Sequence, residues 1–186
     1  MTLYAERGYE ETTVAEIAER AGLTKRTFFR YFPDKREVLF GGSELLEQHM
    51  VAAIEAAPAS TSALGLIGAA LDAAGQRFEE VREFAGPRQR IIASSTELQE
   101  RELIKMASLA AALAGALRAR GIGDTAADLA AFTGTNVMHV AFERWIDESN
   151  RTPFQQVARD ALAQLRDLAV AGLARFTLWP VGRACA

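Results

Sequence analysis

Arg20, Lys25, Arg26, Arg30, Lys35 and Arg36 crowd into residues 20–36, where Asp34 is the single acid. Guanidinium and ammonium groups at this density suit a polyanion, because each can neutralise a phosphate and release its counterion. The 186-residue chain carries a formal net charge of -3, so the cluster stands out against an acidic remainder. The distribution of charge is more informative than its sum. A basic run is more often a plain solvated face, however, so the charge needs a scaffold that would present it.

That scaffold is legible on both sides of the cluster. Val14, Ile17, Ala18 and Ala21 fall at i, i+3, i+4 and i+7, one apolar stripe of a helix. Ala21-Gly22-Leu23 makes a tight turn, with glycine where a positive φ is cheap. Thr24 caps a second helix in which Phe28 and Phe32, one turn apart, point inward. With Phe28 as the inward direction, the 100° step places Arg26 and Arg30 on the outer face, flanked by Lys25, Thr27 and Phe29. The spacing predicts a helix-turn-helix over roughly residues 13–33, its second helix shaped for a major groove. A helical hairpin with exposed basic residues remains the alternative at this point.

The rest of the chain reads as all-α, with about nine helices. No sustained period-2 alternation bounded by turns argues for a sheet. Thr13-x-x-Glu16, Asp34-x-x-Glu37, Thr96-x-x-Gln99 and Thr152-x-x-Gln155 have capping-box form, and Pro153 takes the favoured first helical position. Stops fall at Gly8, Gly22, Gly41-Gly42, Ala57-Pro58, Gly86-Pro87, Gly121/Gly123 and Trp179-Pro180. The expected helices are 1–7, 13–20, 24–31, 34–57, 61–84, 87–94, 97–120, 125–148 and 153–178. An N-terminal domain over 1–40 and a helical bundle over 41–186 are expected to share the long helix near 34–57.

The run Gly8-Tyr9-Glu10-Glu11-Thr12-Thr13-Val14-Ala15-Glu16-Ile17-Ala18, followed by Ala21-Gly22-Leu23-Thr24-Lys25-Arg26-Thr27-Phe28-Phe29-Arg30-Tyr31-Phe32-Pro33-Asp34-Lys35, resembles the N-terminal domain of the TetR (tetracycline repressor) family. The resemblance covers about forty residues nearly continuously, and the long helices that follow match in length and order only. It implies a DNA-binding transcription regulator. Thr13 would donate to a phosphate, while Thr24 caps the recognition helix whose Lys25, Arg26 and Thr27 meet base edges and nearby phosphates. Arg30 and Tyr31 would hold the backbone, and Lys35 would anchor another phosphate. Phe29 departs from the family's usual tyrosine, which removes one phosphate bond and leaves room for a thymine methyl. The first helix also departs, with about seven residues before Gly8 where the family has a longer one; if that start is the natural one and not a start-site artefact, a less stable DNA-binding domain is expected.

The last two helices are strongly patterned. Phe154, Ala158, Ala161, Leu165, Leu168, Gly172 and Phe176 follow an alternating four-three spacing, with Val157, Leu162, Ala169 and Leu173 as a second flank. The preceding helix is apolar over most of its circumference (Leu129, Phe132, Val137, Val140, Ala141, Trp145), so it must be buried in the chain or against a partner. Pattern alone leaves open an intrachain bundle. The resemblance implies a homodimer through these helices, with Val137, Val140, Ala158, Ala161, Leu165, Leu168 and Gly172 at the interface and a near-palindromic operator as the target. It also implies a cavity for a small-molecule effector. Phe132, Thr135, Asn136 and His139 share one face, with Phe78 and Met106 on neighbouring helices, and this mostly apolar set favours a hydrophobic or aromatic effector.

Other classes find little support. The single cysteine, Cys185, excludes an intrachain disulfide framework and fits a reducing, cytoplasmic setting. The longest uncharged apolar stretch is far short of a membrane span. No metal, cofactor or enzymatic role is expected: His139 and His49 lack a ligand arrangement, and no Gly-x-Ser-x-Gly, phosphate-binding glycine loop or Cys/His pair is present. Two further readings stay open on sequence alone. One is a ligand-independent architectural DNA-binding protein; the other is a helical small-molecule-binding protein or enzyme with an incidental basic hairpin.

Overall fold

The computed structural model describes residues 2–147 and 149–176, with side chains to 171. Cys185 lies outside them, as do the burial of Gly172 and the side chains of Leu173 and Phe176 in the last helix. The described residues form ten α-helices and no strand: α1 (Thr2–Arg7), α2 (Val14–Arg20), α3 (Lys25–Tyr31), α4 (Glu37–Phe40), α5 (Ser43–Ala56), α6 (Ala63–Glu80), α7 (Arg82–Ala93), α8 (Thr96–Ala119), α9 (Asp124–Trp145) and α10 (Phe154–Phe176). None is long and apolar enough to cross a membrane.

Two boundaries differ from the sequence reading. The helix expected over 34–57 is broken at Gly41-Gly42, where Gly42 takes φ 96°, so α4 and α5 are separate pieces. The helix expected to end at residue 84 ends at Glu80 instead. Val81, at φ -119° and ψ 16°, breaks the chain, and α7 then runs through Gly86 and Pro87. Proline removes one backbone donor, and a helix tolerates that loss when packing holds its remaining turns. Ala85, Ile91 and Ile92 supply that packing as the buried face of α7.

The main core is built where α6 and α9 meet α5, α8 and α10. Gly134 lets α9 lie directly on α6, since a Cβ there would come within 2.8 Å of Ile67 Cγ2. At its C-terminal end, α5 is tied down by Arg120, whose guanidinium donates to the Ile54, Glu55 and Pro58 carbonyls at 2.7–2.9 Å. A C-terminus otherwise leaves such carbonyls without partners.

A second cluster joins Tyr4, Tyr9, Leu39 and Phe40 to Ile91, Ile92 and Leu98. Helices α1, α2 (through Ile17) and α4 therefore share a hydrophobic cluster with α7 and α8, in place of the long connecting helix that was expected. The short α1 is held through it, with Tyr4 buried, its ring 5.7 Å from Tyr9 and its hydroxyl donating to the Lys35 carbonyl at 2.6 Å.

Candidate functional site

The α2–turn–α3 unit is closed by local bonds. Thr13 caps α2, its hydroxyl accepting from the Glu16 amide while the Glu16 carboxylate accepts from the Thr13 amide at 2.8 Å. Gly22 takes φ 68° in the turn, and the Leu23 amide reaches back to the Ala18 carbonyl at 2.8 Å. Thr24 caps α3 by accepting from the Thr27 amide at 3.1 Å. Inside, Ala18 and Phe28 are buried, and Phe28 packs on Phe32 at 5.4 Å. Val14 and Ile17 are half-buried, whereas Ala21, expected in the stripe, is exposed at the end of α2.

With Phe28 turned inward, Lys25, Arg26, Phe29, Arg30 and Tyr31 are exposed together. Among the described residues no acid pairs with Lys25 or Arg26, so both charges are free for an anion. Arg30 lies 4.9 Å over the Tyr31 ring and donates to its hydroxyl at 3.1 Å, which presets the two as a unit. Phe29 is 53% exposed, an apolar ring offered to solvent on a basic face.

Two of the residues carried over from the resemblance are committed elsewhere. Lys35 Nζ donates to the carbonyls of Tyr9, Glu10 and Thr12 at 2.8, 3.0 and 3.1 Å and sits 4.3 Å over the Tyr9 ring. A lysine has three N–H donors, and all three are used. Lys35 therefore fastens the α1–α2 loop and has no donor left for a phosphate. The Thr13 hydroxyl likewise donates to Glu16 Oε2 at 2.8 Å, so a phosphate would have to displace that bond. Lys35→Met should cost the N-terminal domain about 1–3 kcal/mol, because it takes the charged donor from three carbonyls of one loop. Hydrogen exchange should then speed up in residues 2–12 while the α6–α9 core keeps its protection. Unchanged exchange in that loop would contradict the assignment.

Beneath this face lies a network the sequence reading missed. Burial alone would raise the Glu37 carboxyl. Bonds from Arg101 Nε at 2.6 Å and Lys105 Nζ at 3.1 Å more than offset this and hold it below the usual carboxylate range. Arg36 donates to Asp34, which lowers the Asp34 pKa, and also pairs with Glu97 at 3.1 Å. Arg88 Nε donates to the Leu39 carbonyl at 2.6 Å and its guanidinium lies over Phe40 at 5.2 Å. Apart from the local Arg36–Asp34 pair, each of these links joins α4, or the turn before it, to α7 or α8. The i, i+4 spacing of Arg101 and Lys105 was visible in the sequence, but their shared partner 64 positions upstream of Arg101 was not.

Those same helices enclose a cavity of about 530 Å³ between the α4–α5 break and α6, α7, α8 and α9. Phe78, Met106 and His139 line it as expected. Phe132, Thr135 and Asn136 do not. The cavity abuts the C-terminal half of α9 through Met138, His139 and Phe142, a turn beyond Thr135. Thr135 is buried, with its hydroxyl donating to the Phe132 carbonyl at 3.0 Å, and Phe132 and Asn136 are exposed on the outer face.

The residues expected at a dimer interface also divide. Val137, Ala158 and Ala161 are buried inside the chain, consumed by the packing of α9 and α10 on the bundle. Val140, Leu165 and Leu168 are exposed, and Leu129, Phe132 and Val170 join them as exposed apolar side chains that the interface set omitted. The burial of Gly172 lies outside what is described.

The fold and the α2–α3 unit define a helix-turn-helix protein whose N-terminal helices, with a basic face on α3, are carried on a helical bundle. Residues 1–40 match the model for bacterial regulatory proteins of the tetR family. It is 37% identical over 73 residues to the HTH-type transcriptional regulator TcmR of Streptomyces glaucescens; the match covers 39% of this chain and 32% of that protein. The chain thus spans about a third of this relative's length. Among solved structures, the TetR family transcriptional regulator PfmR from Thermus thermophilus aligns at 25% identity and a TM-score of 0.48, covering 87% of this chain and 91% of that one.

Proposed function

We propose that the chain is a homodimeric regulator that binds a near-palindromic operator through the α3 face and releases it when a small molecule fills the cavity. The observation that carries this reading is the exposed Lys25, Arg26 and Arg30 surface on a helix fixed by its buried Phe28. Phosphate contacts give affinity and base-edge contacts give sequence preference. Arg26 projects opposite Phe28, farthest from the protein, and is the natural base reader.

The dimer is supported by the exposed apolar stripe Leu129, Phe132 and Val140 on α9, continued by Leu165 and Leu168 on α10. Large exposed apolar side chains at helical spacing on neighbouring helices mark a candidate interaction site. Two-fold symmetry would then set two recognition helices about one DNA turn apart, roughly 34 Å. The effector step is supported by the position of the cavity. Its wall includes Arg88, Arg101 and Lys105, the residues that hold α4, so occupancy there can bias the angle of the DNA-reading heads.

Arg26→Ala tests the base-reading assignment. Binding to the operator should fall by about 1–3 kcal/mol while binding to random DNA of equal length falls far less. Equal losses on the two DNAs in fluorescence anisotropy would remove Arg26 from the reading surface.

A further inference from the structure

One of the residues lining the cavity, Gln89, carries a buried acceptor, Oε1, that no donor among the described residues meets. The other half of the amide fixes its orientation. Nε2 donates to Glu102 Oε2 at 3.4 Å, and Glu102 accepts from Arg88 Nη1 at 3.5 Å. A carboxylate can only accept, so turning the amide round would set two oxygens against each other. The unmatched atom is therefore the oxygen. Leaving such an acceptor buried and unpaired is costly, and a ligand that satisfies it recovers that cost.

The walls around Gln89 are aromatic and thioether-rich, with Phe78, Phe84, Phe142, Met106 and Met138. We propose that the cavity takes a ligand with an aromatic body that carries a hydroxyl or N–H, and that this group donates to Gln89 Oε1. The proposal rests on the reading of the cavity as the effector site. It narrows that site from apolar molecules in general to those with one donor placed against α7. It also gives the ligand a short route to the DNA-reading head. Arg88, the preceding residue on α7, donates to the Leu39 carbonyl of α4 and pairs with the same Glu102 that holds the Gln89 amide. A donor arriving at Oε1 thus acts on the polar group that positions the Arg88 anchor.

The test is calorimetric titration of the full chain with two matched pairs, 4-hydroxybiphenyl against 4-methylbiphenyl and 1-naphthol against 1-methylnaphthalene. Within each pair the ratio of the methyl Kd to the hydroxyl Kd is compared between the wild-type chain and Gln89→Met. This ratio cancels the greater hydrophobicity of the methyl compound. It should fall about tenfold on substitution, the worth of one satisfied buried acceptor. Gln89→Leu serves as a second variant if Gln89→Met does not fold. An unchanged ratio while the probes still bind would overturn the role of Gln89 and leave the cavity as a site. Failure of every probe to bind the wild-type chain would overturn the effector reading itself.

Discussion

A chain carrying Phe132→Glu and Leu168→Glu sediments as a monomer and loses operator affinity by about a hundredfold or more. Phe132 is 57% exposed and Leu168 is 70% exposed in the single chain, so neither substitution disturbs the intrachain core. Circular dichroism should therefore show unchanged helicity. In a symmetric dimer each position occurs once on either protomer, so each substitution places two carboxylates in the apolar seam, where unpaired charge is strongly disfavoured. The affinity loss follows from valency. Two linked heads on adjacent half-sites gain roughly 10²–10⁴ over one head by effective concentration alone. Binding of a single half-site should be nearly unchanged. A double variant that still sediments as a dimer would move the interface elsewhere.

The second large effect is on stability. Trp145→Ala should destabilise the chain by about 3–5 kcal/mol, the usual cost of removing a large buried aromatic. Trp145 is 1% exposed and packs among Phe78, Phe142 and Phe154, with ring centroids 5.6–6.0 Å away. Its indole N–H donates to Glu79 Oε1 at 2.9 Å, and the Phe154 amide donates to the same oxygen at 2.8 Å. One carboxylate thus joins the end of α9 to the start of α10, and Arg82 closes the group from 4.9 Å over the indole. Burial works against the charge on Glu79, but these bonds outweigh it and hold the carboxyl below its usual range. Removing the indole opens a cavity and also takes a donor from a half-buried charge. Trp145→Phe should cost less, since the ring volume is largely kept. A loss under about 1 kcal/mol for Trp145→Ala in urea denaturation would mean that this cluster does not anchor α10.

The unequal legibility of the chain has physical causes. The helix-turn-helix was readable because its determinants are local: the Thr13 and Thr24 caps, Gly22 in the turn and the inward Phe28 all act within a few residues. The apolar stripe proposed for the dimer was only half readable. Phe154, Ala158, Ala161, Leu165 and Leu168 form one continuous helical face, and periodicity records that a face is apolar without saying what covers it. In the structure, Phe154, Ala158 and Ala161 are buried in their own chain while Leu165 and Leu168 emerge from it.

The hold of Lys35 on the α1–α2 loop was missed for the same kind of reason. A cation beside a basic motif looks like a phosphate ligand, and only the fold brings the Tyr9, Glu10 and Thr12 carbonyls around its amine. The cavity was partly anticipated through Phe78, Met106 and His139. Gln89 and Arg88, which give it chemical character, lie on a helix whose start was placed five residues too late, at 87 instead of Arg82.

The central claim is that this chain reads DNA through the outer face of α3. Hydroxyl-radical footprinting of the DNA flanking its own gene, with the wild-type chain and with Lys25→Ala/Arg26→Ala, tests it most directly. The account predicts one near-palindromic protected site for the wild type, its two half-sites one helical turn or a whole number of turns apart. Protection should vanish with the α3 variant while its fold and assembly are retained. A wild-type chain that protects nothing, or a footprint that survives the loss of both cations, would contradict it.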